Sequence, residues 1–162
     1  MSVALTLLAS SVARARCSAL LTDATLATAN LHSPDPGEVD QELLSRYVAA
    51  FEAYDMDALT SLIHEDATQS MPPYDLWLAG RDDILSWWVG PGAGCRGSRV
   101  LPAGTANGSP AFGQYKPSPD GGYEPWAVQV LEVSDGRIVE LTFFLDTVAL
   151  FPLFGLPARL DA

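Results

Sequence analysis

The run YEPWAVQVLEVSDGRIVELTFFLD, residues 123–146, decides the fold. Two apolar stretches, 123–133 and 137–146, flank Asp135-Gly136, a dipeptide suited to the positive φ angles of a two-residue hairpin turn. Both stretches alternate. In the second, Val139, Leu141, Phe143 and Leu145 make an apolar stripe facing a core. Ile138, Glu140, Thr142, Phe144 and Asp146 make a mixed face, as a pocket wall or a subunit interface would. In the first, Gln129 stands among Ala127, Leu131 and Val133. A polar side chain on an apolar stripe needs a partner, and a ligand or a backbone group would serve equally.

Working outward, 96–103 and 109–116 read as two further strands, punctuated by Asn107-Gly108 and by the turn residues 117–122. Toward the N-terminus the period changes from two to between three and four. Val39, Leu43, Tyr47, Ala50, Phe51 and Tyr54 place one apolar face on a helix over 38–54, with Glu38, Asp40 and Glu42 at its positive end. Asp55 caps a second helix over 56–64. A strand over 65–71 stops at Pro72-Pro73, a short return follows at 76–78, and a third helix covers Arg81–Val89. The Gly-rich run from Gly90 to Gly97 reads as a loop; it follows a helix, whereas a phosphate cradle precedes one. A last helix is expected over 147–151. Helices first and consecutive strands after predict an α+β fold, an antiparallel curved sheet packed on about three N-terminal helices, with the open end of the resulting cone as a small-molecule site.

The first 31 residues are rich in Ala, Leu, Ser and Thr, and residues 32–37 (HSPDPG) read as a linker. The domain therefore spans 38–162, after a leader and linker over 1–37 that are marginally helical or disordered. The chain of 162 residues has a net charge of −11 from 20 acids and 9 bases. From Glu38 to Asp83 there are 11 acids against Arg46 and Arg81, a local balance of −9. Such a surface argues against direct nucleic-acid binding and against anionic membranes. No apolar run is long enough to span a bilayer. Cys17 and Cys95, His32 and His64 show no metal-ligand spacing, so neither metal nor cofactor is expected, and a reducing, cytoplasmic setting is.

Several strings resemble the SnoaL-like family of the nuclear-transport-factor-2-like superfamily: YDMDAL (54–59), HEDAT (64–68), MPP (71–73), WLAGR (77–81) and DGRIV (135–139). A narrower resemblance lies in GPGAGCRGSR (90–99), ANGSPAFGQY (106–115), FLD (144–146) and LFPLFGLP (150–157). These look like the C-terminal SnoaL-like domain of certain actinobacterial extracytoplasmic-function sigma factors. The likeness runs from about Gln41 to Leu160. The promoter-binding parts of such factors lie upstream of this domain, and SVARAR (11–16) is only a faint likeness to the end of a DNA-reading helix. The resemblance implies a cone-shaped fold and contacts with sigma-factor or polymerase parts.

It also implies that Asp146, at the end of the last strand, is the best catalytic candidate, since some SnoaL-like cyclases use an acid there; the plain alternative is a helix cap. His64 beside Glu65 and Asp66 is a second candidate, either as a general base or as a helix-end cation. The pocket is expected from Tyr47, Met71, Tyr74, Trp77, Tyr115, Gln129, Thr142 and Phe144. The favoured reading is a non-enzymatic domain that binds a small apolar ligand or regulates a partner. Its rivals are a cofactor-independent cyclase, isomerase or hydrolase using Asp146 with His64 or Tyr115, and an inert dimerisation module; a homodimer stays open.

Overall fold

The computed structural model describes residues 41–162; the leader and linker expected over 1–37, and the first turn of the expected first helix, lie outside the described residues. Helix α1 (Gln41–Ala53) buries Leu43, Leu44, Tyr47, Ala50 and Phe51, the face its periodicity predicts. It ends where Tyr54 turns left-handed, at φ 57°. Asp55 then caps α2 (Met56–Leu62), its carboxylate accepting from the Ala58 N–H at 2.9 Å. The helix is shorter than expected. Ile63 is already extended and fully buried, so β1 (Ile63–Ser70) begins there and His64 lies on a strand, not at a helix end. A β-branched residue with a buried strand partner, Ile138, outweighs one more helical turn.

After β2 (Trp77–Ala79) come α3 (Arg81–Val89) and a 3₁₀ turn over Pro91–Cys95. That turn and Gly97 (φ +79°) consume the residues expected to start the next strand, so β3 is Arg99–Ala106. β4 (Ser109–Pro117), β5 (Tyr123–Ser134), β6 (Arg137–Phe144) and α4 (Thr147–Leu153) complete the chain. Asp135 and Gly136 take φ of 50° and 70°, the positive pair that the hairpin reading requires.

The six strands are ordered β2-β1-β6-β5-β4-β3. Every pairing is antiparallel except β1 with β6, which is parallel, so the sheet is mixed at the point where the helical half joins the strand half. Register shifts interrupt four of the five pairings. Bulges of this kind bend a strand and sharpen its twist, which curls the sheet around the helices. Two bulges re-aim side chains. Glu132 faces Glu140 while Val133 faces Ile138, so Val139 is supernumerary on β6. The apolar stripe therefore runs through Ile138, Leu141 and Phe143, all buried, while Val139 is only half-buried. On β5, Ala127 faces Gln114 and Pro125 faces Tyr115, leaving Trp126 as the extra residue.

The inner face packs on α1–α3 through one large cluster that includes Tyr47, Phe51, Trp88, Leu131, Leu141 and Phe143. The outer face is covered by α4 and the C-terminal tail in a second cluster built on Tyr115, Val128 and Phe151. The tail is tied down by Tyr123 and Leu160, which exchange backbone hydrogen bonds of 2.8 and 3.0 Å. It presses so closely that a Cβ on Gly113 would lie 2.6 Å from a Leu156 methyl.

Candidate functional site

The inner face carries three polar side chains with no exposure at all, Gln69, Gln114 and Gln129. Burying an amide without partners costs roughly 1–3 kcal/mol, and two of the three sit in a connected chain. The Tyr47 hydroxyl donates to Gln129 Oε1 at 2.9 Å, Gln129 Nε2 donates to Gln114 Oε1 at 3.0 Å, and Gln114 Nε2 donates to Ser98 Oγ at 3.0 Å. Ser98 in turn donates to the Cys95 carbonyl at 2.7 Å. The chain thus links α1 through β5 and β4 to the Gly-rich turn. Burial holds the Tyr47 hydroxyl far above its ordinary pKa, with a smaller contribution from Cys95, so it stays a neutral donor. Gln69 accepts from Trp88 Nε1 at 2.8 Å, while its own Nε2 has no partner.

Beside this chain lies an enclosed aromatic cavity. Phe51, Tyr54, Met71, Trp87, Trp88, Trp126 and Phe143 line it, with Gly92 and Cys95 at its edge. Its free interior is about 10 Å³, room for one water-sized group. Trp87 closes one side by packing against Gly92, where a Cβ would come within 2.4 Å of the indole. Trp126 reaches the cavity because of the β5 bulge: strict alternation would place it with Val128 and Val130, in the outer cluster. Its Nε1 is buried without a partner. Among the described residues, no three His, Cys, Asp or Glu side chains gather as a metal site would require.

A bulged, curved sheet wrapped on three helices has clear relatives. A profile of the SnoaL-like domain matches residues 44–141. The chain belongs to the SnoaL-like family. A 131-residue stretch is 40% identical to the ECF RNA polymerase sigma factor SigG of Mycobacterium tuberculosis, covering 80% of this chain and 35% of the relative. The chain thus spans about a third of that protein's length. Among solved structures, a protein from Catenulispora acidiphila with a ketosteroid isomerase-like fold, crystallised with trimethylamine, matches with a TM-score of 0.52. The two are 18% identical over 73% of this chain and 95% of that one. Bal32a, from a soil-derived mobile gene cassette, matches with a TM-score of 0.54 at 20% identity, over 74% and 98% of the two chains. At these identities the structural matches speak for the fold alone.

In this SnoaL-like domain the candidate catalytic residues do not converge. Asp146 is exposed and caps α4, accepting from the Ala149 N–H at 3.2 Å. It borders a shallow outer groove with Pro72, Pro73, Tyr74 and Phe144. His64 accepts from the Asp66 N–H at 3.1 Å through Nδ1. It follows Ile63, which pairs with Ile138, at the other end of β6 from Asp146; that is on the order of 20 Å of extended chain. The Tyr115 hydroxyl is spent on the Pro157 carbonyl at 2.9 Å, beneath the tail. The expected pocket divides in the same way. Tyr47, Met71 and Gln129 face inward. Tyr115 and Phe144 belong to the outer cluster, and Thr142, bonded to Ser70 at 3.3 Å, alternates with inward Leu141 and Phe143. Tyr74 and Trp77 are 68% and 64% exposed. Gln69, Gln114 and Ser98 add to the polar character of the inner face, and sequence reading gave none of them a site role; Trp126 reads as one of the aromatics that could line an apolar site or fill the core. Gln69 had a signal available: it is a polar residue between apolar neighbours of the same parity, Ala67 and Met71, as Gln129 is between Ala127 and Leu131.

Proposed function

We propose that this chain is a non-catalytic SnoaL-like domain that binds a small molecule on the inner face of its sheet, in the manner of an accessory module of a sigma factor. One observation carries the reading: the inner face presents amides, hydroxyls and indoles, and none of the described carboxylates or histidines lines its cavity. Proton-transfer catalysis calls for a group that changes protonation near neutral pH. Tyr47, with its pKa pushed up by burial, is not such a group. An apolar lining with a few placed polar atoms is the usual make-up of a binding site. The similarity to a segment of a mycobacterial sigma factor supports a role in transcription control, with contacts to other sigma-factor or polymerase parts as the output.

The test is a thermal-shift screen of the full chain against small aromatic and polyketide-like compounds, with each compound recovered and weighed by mass spectrometry. A ligand at a hundred times its Kd adds about 2.7 kcal/mol of stability, which moves the melting temperature by several degrees. The expected result is stabilisation by at least one compound class, with every compound recovered unchanged. Conversion of a compound by the parent protein, or a flat screen across all classes, overturns the reading.

A further inference from the structure

The described part of this acidic chain holds few cations, and two of them stand on the rings of the cavity. Lys116 Nζ lies 3.2 Å from the centroid of the Trp126 indole, and the Arg96 guanidinium lies 4.9 Å from that of Tyr54. Trp126 and Tyr54 both line the cavity. Lys116 also reaches the Gly-rich turn, 3.9 Å from where a Gly94 Cβ would be. Among the described residues neither cation has a carboxylate within salt-bridge distance, and the single ion pair is Arg99 with Glu52. A protein of net charge −11 ordinarily repels anions, and two cations without an ion pair, each on a ring that lines the cavity, offset that repulsion locally. Next to them, the Trp126 Nε1–H is a buried donor awaiting an acceptor. Donors are in excess here, and the rest of the wall is apolar.

We infer that the cavity edge between Arg96 and Lys116 takes a small apolar carboxylate, an aryl or alkyl acid. Its carboxylate is held by the two cations and accepts from the Trp126 indole, and its hydrocarbon part lies against the aromatic lining. Charge-assisted hydrogen bonds are about twice as strong as neutral ones, and in a largely dry setting they discriminate an acid from its uncharged analogue. The free interior of about 10 Å³ admits only one small group, so the hydrocarbon enters as Trp87 lifts from Gly92. The glycines at 90, 92 and 94 give that turn the backbone freedom to yield. This inference rests on the inner-face cavity being a ligand site, and it adds the charge and class of the ligand.

The experiment is calorimetric titration of the full chain with benzoate and naphthoate, and with the neutral benzamide and naphthamide. The acids should bind about tenfold or more tighter than the amides, a gap of about 1.4 kcal/mol, and the gap should shrink at high salt. Lys116→Met, which keeps the aliphatic stem on Trp126, and Arg96→Met should each narrow the gap by weakening the acids more than the amides. Trp126→Phe should weaken both acids and amides by removing the N–H from which each accepts, the acids more. Far-ultraviolet spectra and melting curves confirm that each variant is folded. Equal affinities for acids and amides, or a preference that survives the Lys116→Met/Arg96→Met pair, overturn the inference while the ligand-site reading stands. Binding of none of the four probes overturns this inference, and the broader screen then decides that reading separately.

Discussion

The two faces of one sheet are built on opposite principles. The outer face is sealed by apolar packing, with Phe151 set edge-on to Tyr115 at 5.2 Å and the tail laid over Val128. Its buried hydroxyl, on Tyr115, ends on a backbone carbonyl. The inner face is as dry, yet it keeps three glutamines and a tyrosine inside, and most of their groups answer one another in sequence. Apolar packing tolerates loss in proportion to the volume removed. A buried polar chain fails when a single member goes, because the groups left behind keep their desolvation cost and lose their partners.

The largest effect belongs to the outer face. Phe151→Ala should destabilise the domain by about 3–5 kcal/mol, the range for removing a buried aromatic side chain, as read from denaturant midpoints. It should leave acid binding at the inner cavity intact once the fraction folded is accounted for; a matching loss of binding would erase the distinction between the faces. Next comes Gln129→Leu on the inner face. It strands the Tyr47 hydroxyl and Gln114 Oε1, at roughly 1–3 kcal/mol each, a sum of roughly 2–6 kcal/mol that burial of the leucine side chain partly offsets. The combined Tyr47→Phe/Gln129→Leu/Gln114→Leu variant should recover most of that loss, since replacing a whole polar set by apolar groups of similar shape is nearly neutral. No recovery would mean that the chain matters for its shape and not for its pairing.

The smallest effect is a slope. Burial raises the Tyr47 pKa in the folded state, and raises that of Tyr115 less strongly. The unfolded chain begins to ionise near pH 10 while the folded one does not. The stability held in Tyr47 is therefore complete below about pH 10 and falls above it, by about 1.4 kcal/mol per pH unit. Tyr47→Phe should flatten the alkaline limb of the stability curve more than Tyr115→Phe does. Equal flattening by the two would show that the inner tyrosine is no drier than the outer one.

Local signals made much of this fold legible. The α1 face, the Asp55 cap and the Asp135-Gly136 hairpin depend on neighbours a few residues apart. What escaped depends on partners far along the chain. The parallel meeting of β1 with β6 has no mark in either strand. Where β1 starts was set by Ile138, and Val139 could join the apolar stripe only if no bulge intervened. The site suffered most from this. Thr142 and Phe144 were read from parity alone, and Tyr74 and Trp77 from aromatic character, which does not reveal exposure. Tyr47 faces inward by the helical period of α1, and Gln129 by the unbroken alternation from Ala127 to Leu131.

The supernumerary Trp126 acts on β5 as a change of phase. The residues before it pair with the C-terminal end of β4, Tyr115 to Pro117, and meet the tail through Tyr123 and Leu160; those after it follow the beat of β6. Substitution at 126 alters a surface, whereas deletion would bring the two halves into a single rhythm. Either the tail would lose its anchor at Tyr123, or Ala127, Gln129 and Leu131 would rotate out of the interior together.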